Sequence, residues 1–171
     1  MRPTPLHIAA LTLLIAAALS MLLPSCNSSD CSDNQNSLPL AGFFASESGA
    51  EIALSDLGIA GVGAPNDSVL SVGTAATEAY LPFRIDSDYT TYVLRYANTP
   101  ERYFDTVTFR YDLQPWFVSS ECGAIYRYKM RSIEYTLNRL DSVVCPSGVI
   151  DNTPGQNLRI YFRTQQTSTP D

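Results

Sequence analysis

The sequence predicts an all-β protein: a single antiparallel β-sandwich of about eight short strands behind a cleaved signal peptide. Two observations predict the sandwich. Apolar and polar residues alternate with a period of two over much of the second half of the chain, which is the pattern of half-buried strands. Turn-forming clusters such as Asp86-Ser87-Asp88 and Asn152-Thr153-Pro154-Gly155 separate these runs. Short strands with regularly spaced turns are typical of a sandwich.

The strongest predicted strands lie in the second half of the chain. They cover residues 80–85, 89–96, 106–111, 126–131 and 158–163, and weaker runs occur at 40–45, 51–54 and 69–72. Pro82 predicts an edge strand or a bulge, because proline has no N–H to donate to a ladder. Residues 133–140 fit both helical and strand spacing. We favour a strand there, because no capping box precedes the segment and Asn138 interrupts it.

The first 25 residues predict a signal peptide. Residues 8–23 form an apolar run of 16 that only Thr12 and Ser20 interrupt. A membrane-spanning helix needs about 20 such residues, so this run is typical of the apolar region of a signal peptide, with a cleavage site after it. An uncleaved anchor helix is the alternative.

Cys26 follows a segment that resembles a bacterial lipobox. Leu23 lies three residues before the cysteine and the small Ser25 directly before it, while Pro24 departs from the usual residue. The resemblance implies cleavage before Cys26, diacylglycerol on its thiol and acylation of the new amine. Several acyl chains, at about 0.8 kcal/mol per buried CH₂, anchor a protein stably. An ordinary secretory signal, with Cys26 in a disulfide, is the alternative.

The predicted organisation has four parts. A lipoprotein signal peptide covers residues 1–25, a polar lipid-anchored tether 26–38, the β-sandwich 39–164 and a polar tail 165–171. We therefore expect a location in the bacterial cell envelope, on the outer rather than the inner membrane. The lipid bilayer is the first expected partner, through acylated Cys26, and an envelope protein or glycan is the second.

Composition excludes several kinds of chemistry. Arg2 and His7 both belong to the predicted signal peptide, so the remaining 146 residues carry a net charge of −7 and no histidine. Ser-His-Asp, Cys-His and histidine-containing zinc sites are therefore excluded, and no cofactor is expected. The single lysine, Lys129, alternates with Arg127 and Arg131, which favours a solvated strand face over a Ser-Lys dyad. The acidic balance argues against a nucleic-acid partner.

The cysteines predict an oxidising compartment. If Cys26 carries lipid, then Cys31, Cys122 and Cys145 remain and allow one bridge within the chain. A Cys31–Cys122 bridge would close a long loop and contribute about 2–4 kcal/mol. A Cys122–Cys145 bridge would join two neighbouring strands, and the sequence alone leaves both pairings open.

Four features resemble a family of small, uncharacterised lipoproteins of Bacteroidales-type bacteria. They are the lipobox ending at Cys26, the early Cys31, Glu121-Cys122-Gly123, and a closing hairpin formed by residues 140–144 and 157–162. The resemblance implies an all-β domain and a Cys31–Cys122 disulfide, with Cys145 left over. It implies no activity.

Three segments share the pattern Asp, hydroxyl residue, Val: Asp67-Ser68-Val69, Asp105-Thr106-Val107 and Asp141-Ser142-Val143. The pattern resembles the O-glycosylation signal of exported proteins in that bacterial phylum, which implies glycans on Ser68, Thr106 and Ser142. The alternative is structural: Asp ends a turn and Ser/Thr-Val begins a strand.

The predicted function is a non-catalytic, lipid-anchored envelope protein that binds a protein or a glycan. Ten tyrosines and Trp116 offer aromatic surface for a sugar, although aromatic residues at strand spacing also form cores. The alternative is a glycoside hydrolase based on two carboxylates, or an accessory to one, with Glu121 and Glu134 as candidates by residue type only. Asp86-Ser87-Asp88 offers oxygen ligands for calcium but lacks the rest of an EF-hand loop, so a turn explains it better.

Overall fold

The structure, a computed structural model, describes residues 37–63, 69–71, 75–119 and 123–164. These residues all belong to one compact unit, Asn34–Asp171. No helix within the described ranges is long and apolar enough to span a membrane. The predicted signal peptide, most of the tether and the tail lie outside these ranges, as do Cys26, Cys31, Ser68, Glu121 and Cys122.

The described residues form ten strands and one short 3-10 turn, Glu101–Tyr103. The strands are β1 (Leu40–Ala45), β2 (Leu57–Gly61), β3 (Val69–Ser71), β4 (Glu78–Tyr80), β5 (Tyr89–Tyr96), β6 (Asp105–Ser119), β7 (Gly123–Tyr135), β8 (Leu140–Val144), β9 (Val149–Ile150) and β10 (Leu158–Phe162). They make a four-stranded sheet, β4-β1-β10-β8, and a six-stranded sheet, β3-β2-β5-β6-β7-β9. The predicted all-β sandwich is confirmed.

The strand pairing is antiparallel with one exception. β1 lies parallel to β10, with Ala41 opposite Leu158, and so joins the two ends of the domain. The predicted closing hairpin is an antiparallel pair of β8 and β10. The segment between these strands is more than a loop, because it contributes β9 to the other sheet, where Ile150 lies opposite Tyr128 of β7.

Both sheets contribute to one hydrophobic core, because alternate residues of each strand point inward. β1 buries Ala41 and Phe43, and β5 buries Tyr92, Leu94 and Tyr96. The core is rich in aromatic side chains that contact one another edge to face or stacked. These contacts include Phe43 with Phe162, Phe83 with Tyr111, and Tyr92 with Phe109.

The predicted strand 80–85 is wrong beyond Tyr80, where β4 ends. Leu81 and Phe83 are buried as the alternation suggests, but Ile85 is 65% exposed. The Leu81 N–H donates to the Pro39 carbonyl and the Arg84 N–H to Thr90 Oγ1, so neither enters a strand ladder. Pro82 has no N–H to donate. The segment therefore crosses the core as irregular chain that still buries every second side chain up to Phe83.

Several predicted runs have different extents in the structure. β7 continues through Ile133 to Tyr135, which confirms a strand there, whereas Leu137 lies beyond its end and is exposed. Residues 51–54 form only isolated bridges, through Glu51 and Leu54. β6 and β7 have 15 and 13 residues and are longer than the predicted short strands.

The two long strands pair from Val107 opposite Tyr135 to Ser119 opposite Gly123. β5 accompanies β6 only as far as Arg110, and β9 meets β7 only at Tyr128 and Lys129. Beyond these points the pair has no further strand beside it within the described residues. We call this part, residues 113–119 and 123–127, the ribbon.

Candidate functional site

A cleft of about 810 Å³ opens at the end of the sandwich where β6 begins. Four segments line it: residues 52–56 before β2, residues 97–103 between β5 and β6, residues 137–139 between β7 and β8, and residues 162–164 at the end of β10. Its volume lies within the range of small-molecule sites, about 300–1,000 Å³. The wall combines apolar side chains with a few charged ones.

An ion pair between Arg139 and Asp56 occupies the cleft wall. Arg139 Nη1 lies 2.8 Å from Asp56 Oδ2, and both side chains are only partly exposed, at 31% and 39%. The guanidinium carbon also lies 4.3 Å from the centre of the Tyr96 ring, a cation–π contact. Two contacts therefore hold the guanidinium in place, and the pair presents a planar donor group beside a planar acceptor group.

Hydrogen bonds also hold the part of the rim at the end of β10. Arg163 Nη1 donates to the Leu137 carbonyl at 2.9 Å, and the Arg163 N–H donates to the Arg139 carbonyl at 2.9 Å. Thr164 Oγ1 donates to Glu47 Oε2 at 2.7 Å. The two Arg163 bonds tie the end of β10 to the segment between β7 and β8, and the Thr164 bond ties it to the turn after β1.

The buried carboxylate of Asp105 supports that segment from below. Its two oxygens accept five hydrogen bonds of 2.7–3.1 Å, from Tyr96 Oη, Thr136 Oγ1 and the N–H groups of Asn138, Arg139 and Leu140. Burial alone would raise the pKa of the Asp105 carboxyl, but the hydrogen bonds outweigh burial and lower the pKa below its usual value. Asp105 therefore remains charged at neutral pH and determines the path of residues 138–140.

Sequence reasoning noticed Asp105 only as part of a modification pattern and missed its structural role. No local signal marks it, because its partners lie on two separate segments, at Tyr96 and within residues 136–140. Burial also raises the pKa of the Tyr96 hydroxyl above its usual value, so this group remains a donor to Asp105.

Glu134, a candidate for hydrolysis, lies on β7 and does not line the cleft. It forms an ion pair with Arg110 at 2.8 Å and its side chain is 59% exposed. Glu121 lies outside the described residues. Asp56 is the one carboxylate among the described residues that line the cleft.

The segment Asp86-Ser87-Asp88 engages its own protein neighbours. Asp86 forms two hydrogen bonds of 3.0 Å with Arg84, and Asp88 forms an ion pair with Arg131. The arginine hydrogen bonds lower the pKa of both carboxyls. No group of three His, Cys, Asp or Glu side chains suited to a metal occurs among the residues that the structure describes. The carboxylate oxygens of Asp86 and Asp88 thus engage arginine side chains of the same protein.

The predicted modification residues are partly described. Thr106 and Ser142 are both half-buried and lie within β6 and β8. Cys145 is a free thiol in the structure, and the predicted Cys31–Cys122 disulfide lies outside the described residues. The glycosylation and disulfide assignments stay predictions.

A model of a family of unknown function, DUF6452, matches residues 56–162, more than half of the chain. The chain belongs to the DUF6452 family. The prediction of a family without known activity is thereby confirmed, while its lipoprotein character and its bacterial group stay predictions. The DUF6452 region includes Asp56, Arg139 and Asp105, and so contains both the ion pair of the cleft and its buried support. No curated protein and no solved structure matches the chain.

Proposed function

We propose that this chain is a non-catalytic, lipid-anchored protein of the bacterial cell envelope whose cleft binds a glycan. The observation that carries the proposal is the Arg139–Asp56 pair in a cleft that also contains Tyr103 and Leu137. Sugar hydroxyls both donate and accept hydrogen bonds, so they suit a guanidinium beside a carboxylate. The apolar face of a sugar ring suits an aromatic ring such as that of Tyr103.

The cleft suits binding better than hydrolysis. Glycoside hydrolysis needs two carboxyl groups about 5–10 Å apart, one of which acts as an acid. Asp56 already holds Arg139, and the described lining of the cleft offers no second carboxylate to work with it. The missing histidine outside residues 1–25 supports the same reading, since it removes the commonest general base.

The lipid anchor rests on the sequence of the N-terminal region. The apolar run 8–23, the lipobox-like Leu23-Pro24-Ser25-Cys26 and the polar segment that follows favour acylated Cys26 on the outer membrane. The same origin favours O-glycans on Ser68, Thr106 and Ser142 and a Cys31–Cys122 disulfide.

The intact mass of protein purified from its own membranes tests the anchor. We expect a chain that begins at Cys26 and carries acyl groups, with one disulfide and one free thiol before reduction. Hexose-sized increments would support the glycans. A chain that begins elsewhere and carries no lipid would overturn the anchor and make Cys26 a disulfide candidate.

Binding to a panel of defined soluble oligosaccharides, neutral and uronic-acid-containing, tests the cleft. We expect at least one to bind the wild-type protein, and Tyr103→Ala to weaken its affinity about tenfold, because loss of a stacking contact costs about 1.4 kcal/mol. Tyr89→Ala is the matched control: Tyr89 lies outside the cleft and is 45% exposed, against 47% for Tyr103. Equal losses in both variants, or no binding by any oligosaccharide, would contradict glycan binding.

A further inference from the structure

The ribbon carries exposed aromatic side chains on both of its faces. Trp116, Phe117 and Tyr126 are 47%, 66% and 46% exposed. Trp116 and Phe117 are consecutive in β6, so they point to opposite faces. Tyr126 lies opposite Pro115 and shares the face of Phe117. Ile125, opposite Trp116, is buried, so the face of Trp116 is partly covered, but the three rings still offer exposed apolar surface on both faces of the ribbon.

The charge of the ribbon differs from that of the whole chain. Residues 113–119 and 123–127 contain one charged side chain, Arg127, and no acid, in a chain with a net charge of −6. The Arg127 guanidinium carbon lies 3.8 Å from the centre of the Trp116 ring. Glu121, in the connection between the two strands, lies outside the described residues. The described ribbon is thus apolar and basic where the rest of the protein is acidic.

The tether reaches the domain at the ribbon. Ser37, the first described residue, is buried, and its Oγ donates to the Tyr126 carbonyl at 2.5 Å. Eleven residue steps separate Ser37 from Cys26, a distance of at most about 40 Å. Acyl chains on Cys26 would therefore hold the ribbon within reach of the membrane surface.

The cleft lies at the other end of the domain. Asp105, which bonds to the cleft residues Asn138 and Arg139, and Phe117 in the ribbon are twelve residues apart on β6, about 40 Å along an extended strand. A ribbon that contacts the membrane would leave the cleft facing away from the bilayer, where a glycan can enter it.

We propose that Trp116, Phe117, Tyr126 and Arg127 insert into the phospholipid headgroup region of the membrane that anchors Cys26. This inference rests on the proposed lipid anchor. Tryptophan and tyrosine favour the membrane–water interface because their rings are apolar with one polar group, and arginine extends its charge to the phosphates. Insertion stops at the interface, since the backbone groups that no neighbouring strand pairs within the described ribbon would lack hydrogen-bond partners in hydrocarbon.

The single tryptophan makes this proposal directly measurable, because all tryptophan emission comes from Trp116. The experiment reconstitutes full mature protein, purified from its own membranes, into phosphatidylethanolamine–phosphatidylglycerol vesicles. We expect blue-shifted emission that falls at least twofold when the lipids carry a nitroxide near the headgroup, and falls less with a nitroxide deep in the acyl chain. Acrylamide should quench Trp116 several-fold less than in unacylated Cys26→Ser protein without vesicles.

Two variants at exposed aromatic residues, Phe117 at 66% and Tyr103 at 47% exposure, separate the ribbon from the rest of the surface. Phe117→Ser should reduce quenching by the headgroup nitroxide, whereas Tyr103→Ser, at the cleft end, should leave it unchanged. Both retain Trp116 as the probe. Equal quenching in wild-type protein and Phe117→Ser would overturn the role of the ribbon.

Sedimentation with the vesicles distinguishes failure of the anchor from failure of the ribbon. Wild-type protein that sediments but shows no nitroxide quenching overturns the ribbon proposal and leaves the anchor intact. Wild-type protein that is purified from its own membranes without acyl groups, and whose Trp116 is still quenched when vesicles are added, overturns the anchor and supports the ribbon. Wild-type protein that neither sediments with the vesicles nor shows nitroxide quenching overturns both the anchor and the ribbon proposal. A Trp116 emission shift with a soluble oligosaccharide alone would assign the ribbon to a glycan and overturn membrane insertion.

Discussion

Asp105→Ala is expected to lower the free energy of unfolding by about 3–5 kcal/mol. The side chain is completely buried and accepts five hydrogen bonds, three of them from backbone N–H groups. A buried donor without a partner costs about 1–3 kcal/mol. Water that enters the vacated space will bond to some of these donors and so reduce the total loss of unfolding free energy. Urea unfolding followed by far-UV circular dichroism measures the loss.

Asp105→Asn is the matched variant, because it keeps the shape and replaces one acceptor oxygen by a donor. It is expected to lose about 2–4 kcal/mol, since its NH₂ group must face a donor on one side. A loss below about 1 kcal/mol in Asp105→Asn would contradict the role assigned to the charged carboxylate. Thr136→Val, which removes one of the five donors, should cost about 1 kcal/mol.

The stabilisation by Asp105 depends on pH in a definite direction. The pKa of its carboxyl is lower in the folded protein than the usual value of about 3.9. Its contribution is therefore fully present above about pH 4 and is lost as the pH falls through the folded-state value. The difference in unfolding free energy between wild-type protein and Asp105→Asn should be constant from pH 7 to about pH 5 and shrink below pH 4. A difference that grows in acid would contradict this assignment.

Phe83→Ala is expected to cost about 3–4 kcal/mol. The ring is 7% exposed and lies 5.0, 4.8 and 5.3 Å, centre to centre, from the rings of Phe109, Tyr111 and Tyr128. Truncation removes all three contacts and leaves a cavity that the rigid strands β6 and β7 cannot close. Urea unfolding gives the loss, and near-UV circular dichroism reports the disturbed aromatic packing.

Ile85→Ala is the control for Phe83→Ala. The two residues occupy equivalent positions in the alternating run 80–85, but Ile85 is exposed in the structure. Its truncation should change the unfolding free energy by less than about 0.5 kcal/mol. Similar losses in the two variants would indicate a regular strand that buries Leu81, Phe83 and Ile85 alike, contrary to the irregular path of this segment.

As for β1, Leu40–Ala45, the observed bounds of β5, Tyr89–Tyr96, are those that its sequence predicts. Its β-branched and aromatic residues favour an extended chain, and turn residues lie on both sides. Asn98, two residues after the strand, adopts a positive φ of 56°, a conformation that asparagine tolerates better than most residues. Both the strand and its ends thus follow from neighbours in the sequence.

The cleft was beyond prediction because its residues are distant in the chain. Asp56 and Arg139 are 83 positions apart and meet only because β2 begins, and β7 ends, at the same edge of the domain. The donors to Asp105 likewise come from two separate parts of the chain, Tyr96 on β5 and four residues within 136–140. Glu121 and Glu134, chosen by residue type, show the limit of that approach: Glu134 faces solvent beside Arg110.

The sequence by itself determined the fold class and most strand positions, because both depend on local alternation and on turn residues. Only the tertiary structure decided the parallel pairing of β1 with β10, the crossing of β9 to the second sheet and the irregular path of residues 81–85. Strand order depends on how buried side chains from the whole chain fill one core together. The backbone hydrogen bonds of one pairing resemble those of another, so packing between distant residues selects among them.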